Sequence, residues 1–300
     1  MTKLTSLSEA ISKYVDDGDT VYAAGFTHLI PFAAGHEIIR QGKKGLTLAR
    51  ATPDLIYDMM VAAGCAKKVI FSYMGNPGVG SLRIVRSFIE HGKLEWEEYS
   101  HFGMITRVQA GASGLPFLPM NQTGATDLEN ANPNIKRIPD PYGGKDVIAV
   151  PALNPDVAIV HVQRADVNGN AHLWGIIGEQ KEAAFAAKKV ILTAEEIVDE
   201  AVIRSDPNRT MIPGIVVSVV CHVPFACHPS YAQGYYDRDN EFYLAWDKVS
   251  ESVESVKSWL DEWVFSVKDH NEYWKKLDTE THDRLKIEAS YSEKINYGKY

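Results

Sequence analysis

The sequence predicts an α/β fold in which an open, mostly parallel sheet carries helices on both faces. Short apolar segments alternate with amphipathic ones, and most connections between them are short. This alternation is typical of a doubly wound sheet, in which a crossover helix follows each strand. The segment over 215–220 is rich in Val and Ile, which indicates a strand buried on both faces.

The first half of the chain predicts strand–helix units in succession. Ser6 and Glu9 form a capping-box pattern that starts an amphipathic helix over 6–15. Strands are predicted over 20–24, 46–49, 69–73 and 94–99, and helices over 32–41, 53–60, 81–90 and 102–112. The repeated order of strand, loop and helix predicts that these strands run parallel.

The second half is less regular. Residues 121–145 are rich in Asn, Pro, Gly and Asp, which predicts long surface loops. Strands are predicted over 147–150, 157–163, 190–193 and 215–220, a turn over 166–170, a short segment over 171–174, a helix over 183–187, an acidic loop over 195–200, a helix over 249–263 and a polar tail over 268–300. No repeat or clear linker appears, so we expect a single domain over 1–300 that is elaborated from about residue 224.

The composition excludes several function classes. The formal net charge of −8 argues against a nucleic-acid-binding protein, which would carry a basic face. No apolar run approaches the ~18 residues of a membrane span, and no secretion signal is predicted. Three scattered cysteines, Cys65, Cys221 and Cys227, do not form a disulfide framework. We therefore expect a cytoplasmic protein with neither a membrane nor a nucleic-acid partner.

The loop after the strand over 20–24 is the first candidate for a ligand site. Ligands bind at the carboxyl ends of strands in open α/β sheets, where backbone N–H groups and the next helix converge. Gly25 at the strand exit is expected to let a substrate approach the backbone with no Cβ in the way. His28 can polarise a carbonyl, although a lone loop histidine is more often a packing or hydrogen-bonding residue. Together with Phe26 and Thr27, these residues are substrate-binding candidates.

Two further patterns favour ordinary structural roles. Gly75-x-x-Gly78-x-Gly80 follows a predicted strand, but its glycine order is neither that of a dinucleotide loop nor that of a Walker loop, so a tight turn is favoured. Cys221-His222 and Cys227-His228 lack a second ligand pair at zinc spacing. We therefore predict no metal site.

Candidates for hydrolytic chemistry are few. No Gly-x-Ser-x-Gly elbow is present, which disfavours a serine mechanism of the α/β-hydrolase type. Glu98, at a probable strand end, is a candidate base. An exposed charged pair with Glu97 is the more ordinary interpretation of the same residues.

Several stretches along the chain form a set. In order they are Ala24-Gly-Phe-Thr27, Glu37-Ile-Ile-Arg-Gln-Gly42 with Leu46-Thr47, Gly114-Leu-Pro-Phe-Leu-Pro119, Pro155-Asp-Val-Ala-Ile-Val-His161, Asp166-x-x-Gly169, Pro224-Phe-Ala-Cys-His-Pro-Ser230, Gly234-Tyr-Tyr-Asp-x-Asp-Asn240 and Glu262-Trp-Val-Phe-x-x-Lys-Asp-His270. Together they resemble the A (alpha) subunit of family I CoA-transferases, and that of glutaconate CoA-transferase in particular.

The resemblance implies a fold of the CoA-transferase (NagB/RpiA-like) type. It also implies a partner, the CoA-transferase B (beta) subunit, in a heterotetramer or larger assembly. In that family the B subunit supplies a glutamate that attacks an acyl-CoA and carries CoA as a glutamyl-CoA thioester. The Ser-Glu-Asn-Gly type of motif that carries this glutamate is absent here, so no catalytic residue is expected in this chain. The substrates are then an acyl-CoA and a carboxylic acid. CoA enters as a thioester substrate, and no cofactor is permanently bound.

The resemblance also implies site roles. The backbone of the Gly25–Thr27 loop and the Thr27 hydroxyl would orient the acyl group and stabilise developing oxyanion charge. Ser72, Tyr73 and Asn76 lie at the exit of the strand over 69–73, and we predict them as substrate-side neighbours.

One departure from the family pattern bears on the substrate. Glutaconate-type sequences carry an Arg-Lys pair where this chain has His28-Leu29-Ile30, which favours a less charged or bulkier acyl group than a dicarboxylate. Two alternatives to a transferase stay open. A CoA-thioester or C–C hydrolase of the same fold would need Glu98 or His101 to reach the substrate. A non-catalytic, pocket-forming subunit is also compatible with the missing nucleophile.

Overall fold

The computed structural model describes residues 2–76, 80–121 and 127–287. The strands are β1 (Leu4–Thr5), β2 (Thr20–Ala23), β3 (Leu46–Ala49), β4 (Ala66–Phe71), β5 (Gly75–Asn76), β6 (Gly80–Ser81), β7 (Glu95–Glu98), β8 (Phe117–Met120), β9 (Lys136–Ile138), β10 (Val147–Pro151), β11 (Val157–Ala165), β12 (Ala171–His172), β13 (Lys189–Ile197), β14 (Thr210–Ile212) and β15 (Val219–His222). The helices are α1 (Leu7–Tyr14), α2 (Phe32–Arg40), α3 (Leu55–Ala62), α4 (Arg83–Glu90), α5 (His101–Ala112), α6 (Leu128–Ala131), α7 (Gln180–Ala186), α8 (Glu200–Ser205), α9 (Asn240–Val249), α10 (Val253–Leu260), α11 (His270–Lys276) and α12 (Thr279–Arg284).

The main sheet has the strand order β1-β15-β13-β11-β2-β3-β4-β7, and every neighbouring pair in this series is parallel. The short strands β12 and β14 extend it by antiparallel pairing. A separate antiparallel sheet has the order β8-β10-β9. Because the main strands all point the same way, their carboxyl ends meet at one edge. The predicted open, mostly parallel sheet is confirmed.

Hydrophobic clusters cover both faces of this sheet. Alternate residues of a strand point to opposite faces. In β11, Val157 and Ile159 join the cluster that contains residues of α1, α2, α3 and α10, whereas Ala158 and Val160 join the cluster that contains residues of α5 and α7. The apolar side chains of β11 are therefore buried on both faces, as parallel sheets require. Helices on both faces are thus also confirmed.

The predicted start of α1 is confirmed in detail. The Ser6 hydroxyl accepts a hydrogen bond from Glu9 N, and the Glu9 carboxylate accepts one from Ser6 N. This reciprocal pair satisfies two of the amide groups that a helix leaves without partners at its amino end. The predicted strands that became β2 and β3, and the helix that became α2, also agree within about one residue.

The strand prediction over 215–220 is wrong in its first half. Pro213 and Gly214 lead into a 3₁₀ turn over Gly214–Val216, and Ile215 is 90 % exposed. Lys3 Nζ holds this turn by donating to Gly214 O and Val217 O, at 2.6 Å each. The strand β15 therefore begins only at Val219.

Two other segments differ from the prediction. The acidic loop expected over 195–200 is wrong, because β13 continues to Ile197 and α8 begins at Glu200. The helix expected over 249–263 is confirmed from Val253, since α10 continues as a π-helix over Asp261–Phe265, but its predicted start is wrong. There α9 ends at Val249, and the Ser252 hydroxyl caps α10 by accepting from Ser255 N at 3.0 Å.

The two segments predicted without regular structure contain short elements. Within 121–145 lie α6 and β9, while residues 122–126 fall outside the described part of the chain. The tail predicted over 268–300 begins with α11 and α12, and residues 288–300 are likewise outside it. Asp269 and Asp278 cap these two helices, a local signal that the aromatic and polar composition of the tail concealed.

Candidate functional site

The loop that follows β2 has an unusual backbone that distant segments hold in place. Gly25 has a φ of +131°, and Thr27 and Leu29 each have a φ of +56°. Positive φ at a residue with a Cβ costs on the order of 1 kcal/mol and needs support from the surrounding structure. Arg50 Nη2 donates to Gly25 O at 2.7 Å, and Ser230 Oγ donates to Thr27 O at 2.9 Å. The conformation of the loop is therefore set by residues far from it in sequence.

The open approach path predicted at Gly25 is wrong. The residue is buried, and a Cβ there would lie 2.7 Å from Leu29 O and 2.9 Å from His28 O. Glycine is needed because the loop packs its own backbone against this α-carbon and because φ is positive. The half-buried Phe26 and Thr27 are the residues of this loop that retain exposure.

His28 is fully buried and stabilises the loop. Its Nε2 accepts from Gln233 N at 3.0 Å, so Nδ1 carries the proton and faces Ile176 O at 3.4 Å. Burial lowers the pKa of His28 to about 4, so the ring is neutral near pH 7. These contacts support the hydrogen-bonding interpretation of this residue over a direct role in polarising a carbonyl.

Thr52, His101 and Ser72 form a hydroxyl–imidazole chain at the carboxyl edge. Thr52 Oγ1 lies 3.0 Å from His101 Nε2, and Ser72 Oγ lies 2.9 Å from His101 Nδ1. Thr52 follows β3, Ser72 follows β4, and His101 is the first residue of α5, which the Ser100 hydroxyl caps. Three neighbouring strand exits thus place these polar groups together.

The direction of the hydrogen bonds in this chain follows from its terminal partner. Ser72 Oγ lies 2.5 Å from Ala51 O, a group that can only accept, so the Ser72 hydroxyl donates to it. His101 Nδ1 must then donate to Ser72 Oγ, and in the neutral ring Nε2 accepts from the Thr52 hydroxyl. His101 therefore cannot withdraw a proton from Ser72 in this arrangement.

The remaining predicted residues lie around the same edge. The Phe26 ring is edge-on to the His101 ring, with 6.2 Å between centroids, so the β2 loop and α5 meet here. Tyr73 is 48 % exposed immediately after Ser72. Asn76 lies in β5, which pairs with β6 across the predicted glycine turn. Residues 77–79, which include Gly78 of that motif, are outside the described residues.

Known proteins share this architecture. The family described as coenzyme A transferase matches residues 4–222. The chain belongs to the coenzyme A transferase family. It is 51 % identical over 280 residues to the A subunit of 3-oxoadipate CoA-transferase from Pseudomonas knackmussii. The matched residues cover 92 % of this chain and 99 % of that subunit. It is 38 % identical to the A subunit of glutaconate CoA-transferase from Acidaminococcus fermentans over 96 % of this chain and 95 % of that one.

Structural comparison leads to the same family. The crystal structure of glutaconate CoA-transferase from Acidaminococcus fermentans superposes with a TM-score of 0.90, covering 95 % of this chain and 96 % of that one. A more distant relative is the cholesterol ring-cleaving hydrolase IpdA subunit of Mycobacterium tuberculosis, at 29 % identity over 80 % of this chain and 85 % of that one. The chain is thus the A subunit of a heteromeric CoA-transferase, and the names of its relatives imply that a B subunit is its partner.

In this CoA-transferase subunit, Glu97 and Glu98 differ although they are adjacent. Glu97 is ion-paired with Lys68 at 2.5 Å and with Arg107 at 3.2 Å. Glu98 is half-buried at the end of β7, where burial raises the pKa of its carboxyl. The interpretation of the two as an exposed charged pair is wrong for Glu97, which is part of a structural network. The proposed role of Glu98 as a base stays a prediction.

Three residues of the two Cys–His pairs lie in the core of the CoA-transferase subunit, whereas His222 is exposed. Cys221 and Cys227 are buried, and burial raises the pKa of the Cys221 thiol to about 12, so it stays protonated. His161, Glu195 and Cys227 lie close enough to share an ion. However, His161 Nε2 is bonded to Glu195 Oε1 at 2.8 Å, and Tyr236 donates to the same oxygen at 2.8 Å. These contacts fit a buried hydrogen-bond network.

Reasoning from the sequence missed Arg50 and Thr52 as neighbours of the site. Arg50 follows β3 directly and Thr52 comes two residues later, so position alone marks them as residues of the carboxyl edge. Arg50 also stands out as a charged residue directly after the apolar run of β3, and its side chain is 1 % exposed.

Within the described ranges, no helix has the length and apolar character that crossing a membrane requires.

Proposed function

We propose that this chain, paired with a B subunit in a heterotetramer or larger assembly, transfers CoA between an acyl-CoA and a dicarboxylic acid of the 3-oxoadipate class. The observation that carries the proposal is the 51 % identity to the A subunit of 3-oxoadipate CoA-transferase, which spans 92 % of this chain and 99 % of that one. Identity of this extent, along nearly the whole of both chains, supports a shared acyl-binding surface.

The reaction needs a carboxylate nucleophile, which we assign to a glutamate of the B subunit. Its attack on the thioester carbonyl releases the CoA thiolate and leaves a mixed anhydride. Return of the thiolate to the glutamyl carbonyl gives the glutamyl-CoA thioester and frees the first acid. The second acid reverses both steps and leaves as the new acyl-CoA. Negative charge develops on the oxygen of the carbonyl that is attacked, first the acyl carbonyl and then the glutamyl carbonyl, and this oxygen needs hydrogen-bond donors.

This chain supplies the surface against which the acyl group is held. The backbone N–H groups of Phe26 and Thr27 and the Thr27 hydroxyl orient the acyl carbonyl and stabilise its developing charge. Ser72, Tyr73 and Asn76 border the acyl group at the exit of β4. The exposure of Tyr73, at 48 %, and of His101 supports a surface that a second chain completes.

The hydroxyl–imidazole chain supports a transferase in which this subunit has no nucleophile. A serine becomes nucleophilic when a neighbouring base accepts its proton. Here the Ser72 hydroxyl donates to Ala51 O, and the facing nitrogen of His101 is itself a donor. The side chains at this edge can hold and orient a substrate but cannot activate Ser72.

A dicarboxylic substrate conflicts with the expectation from His28-Leu29-Ile30, and burial explains why that expectation is weak. All three side chains are 0 % exposed in this chain alone. A group without solvent exposure cannot contact the distal carboxylate of a substrate, whatever its charge. The absence of a basic pair therefore does not argue against a dicarboxylate, and the identity to the 3-oxoadipate enzyme supports one.

The test is transfer by the copurified A–B pair with succinyl-CoA as donor. We expect CoA to move to 3-oxoadipate faster than to glutaconate, because the first is the acid named for the relative of higher identity. Mass spectrometry of enzyme incubated with acyl-CoA should find covalent CoA on the B subunit, with none on this chain. Covalent CoA on this chain, or no transfer to either acid, would overturn the proposal.

A hydrolase of CoA-linked intermediates is the second candidate. It is favoured by the raised pKa of Glu98 at the carboxyl edge and by the 29 % identity to a subunit of a ring-cleaving hydrolase. The same assay separates the two functions, since hydrolysis consumes the thioester when no acceptor acid is present. Transfer instead depends on the acceptor and forms the covalent CoA adduct.

A further inference from the structure

Arg50 is a buried cation directly beneath the loop that follows β2. Its side chain is 1 % exposed, and its Nη2 donates to Gly25 O at 2.7 Å. Gly25 has a φ of +131°, so the peptide after it is held in an orientation that few residues adopt. The contact between Arg50 and Gly25 therefore fixes the orientation of the peptide between Gly25 and Phe26 at the start of the candidate site.

Hydrogen bonding alone does not explain an arginine at this position. Its Nε and Nη1 atoms are buried and form no hydrogen bond with any described residue. A guanidinium stays charged in proteins, and burying one with most of its donors unused is costly. The buried carboxyl of Asp54 offsets part of this charge, since burial raises the pKa of Asp54 and the charge of Arg50 opposes that rise, but Asp54 accepts its hydrogen bonds from Leu55 N at 2.7 Å and from Tyr243 at 3.0 Å. A buried group that costs stability in this way is typical of a functional site.

The direction of the Arg50 contact determines where the next amide points. In a trans peptide the C=O and the N–H point in opposite directions. Because Gly25 O points at the buried guanidinium, the N–H of Phe26 points away from it. A donor in that orientation, in the half-buried loop at the carboxyl edge, is suited to a developing oxyanion.

We propose that Arg50 is a positioning residue for acyl transfer: it holds Gly25 O inward so that the Phe26 N–H is presented to the acyl oxygen. This inference rests on the proposed function. Arg50 itself, at 1 % exposure, does not touch the substrate. Its effect is on the geometry of the loop, so its loss changes the rate of the chemical step more than it changes substrate binding.

The test compares Arg50→Met and Arg50→Lys in the A–B pair. Methionine keeps most of the volume without charge or donors, whereas lysine keeps the charge and one donor. We expect kcat to fall about 100-fold in the first and about 10-fold in the second, with KM for the acyl-CoA within about threefold of wild type. Arg50→Met should also lower the temperature of thermal unfolding, because it removes the charge that offsets the buried Asp54, so kcat is compared at a temperature where each assembled pair is folded.

Arg107→Met is the matched control. Arg107 is also buried, at 5 % exposure, and donates to a backbone carbonyl, Pro151 O, at 3.0 Å, but it lies in the middle of α5. Its loss should lower stability through the lost ion pair with Glu97 while kcat stays within about threefold. If both methionine variants lose kcat equally, Arg50 has only a structural role.

Each outcome decides the inference. An assembled Arg50→Met pair with kcat within about threefold of wild type overturns it. If Arg50→Met does not assemble, Arg50→Lys decides. A folded lysine variant with a lowered kcat and an unchanged KM supports positioning. A folded lysine variant with wild-type kcat assigns Arg50 to folding alone. Failure of the proposed function is separate, because it would appear as absent transfer in the wild-type pair.

Discussion

Two parts of the carboxyl edge are built in opposite ways. The loop after β2 is held from beneath by buried side chains, and His28, Arg50 and Ser230 are each at most 1 % exposed. At the exit of β4 and the start of α5, by contrast, Ser72 and His101 carry polar groups toward the surface. The difference separates two tasks, since the first part sets a backbone shape and the second presents side chains. Substitutions in the first part should therefore act through the fold of the loop, whereas those in the second part should change activity with little effect on stability.

The largest effect is expected at Gly25. A Cβ added there would meet Leu29 O at 2.7 Å, so Gly25→Ala cannot keep this loop. We expect a loss of about 3 kcal/mol or more in the free energy of unfolding, together with a fall in transfer rate of about 100-fold. Denaturant unfolding and the transfer assay on the A–B pair measure both.

Gly64→Ala is the control for the conformational part of that effect. Gly64 also has a positive φ, +78°, but a Cβ there would have no neighbour within 4 Å. This variant should lose only about 1 kcal/mol and keep its activity. If the two alanine variants behave alike, close packing of the loop is not what requires glycine at position 25, and the open approach path regains support.

The next largest effects are expected from one histidine substitution in each part, which should lower stability in the buried part and transfer rate in the exposed part. His28→Leu removes the acceptor of the part-buried Gln233 N–H and should cost about 2 kcal/mol of stability. His101→Leu removes an exposed ring, so its stability should change by less than about 0.5 kcal/mol while its transfer rate falls about tenfold. Comparable stability losses in both variants would contradict the separation of tasks.

Much of the fold and part of this division could be predicted from the sequence. Periodicity and capping residues identified the parallel strands and most helices, because those signals are local. The position of Ser72 could be predicted because strand exits gather at one edge, and its role toward the substrate stays a prediction. Arg50 was missed as a support because its partner, Gly25 O, is a backbone atom in a loop whose path depends on Ser230, some two hundred residues away.

Side-chain pairs that form between neighbouring strands also could not be predicted from the sequence. His161 and Glu195 are on β11 and β13, and only the register of these strands, in which His161 lies opposite Thr193, brings them together. The 3₁₀ turn before β15 depends likewise on Lys3, at the other end of the chain. A single sequence shows which residues are apolar but does not show these distant partners.

The third effect concerns pH and tests the buried part alone. Burial lowers the pKa of His28 from 6.5 to about 4. Between these values the unfolded chain binds a proton that the folded protein does not, so stability falls as the pH drops from 6.5 to 4 and is unaffected above 6.5. The fall amounts to about 3 kcal/mol at most. Subtracting the unfolding free energies of His28→Leu from those of wild type over this range isolates it, and a constant difference would contradict the burial of this ring.

The smallest effect is expected at Glu98, on the exposed side of the comparison. If the nucleophile is on the B subunit, transfer needs no base from this chain, so Glu98→Gln should change the transfer rate by less than about threefold even though its raised pKa suits proton transfer. Glu95→Gln, at an exposed position of the same strand, controls for the loss of a charge. A fall of about 100-fold in thioester consumption by Glu98→Gln alone would instead identify general-base catalysis. The exposed part of the edge would then carry out the chemistry of a hydrolase. Its role would no longer be limited to presenting side chains to a substrate that the partner subunit holds.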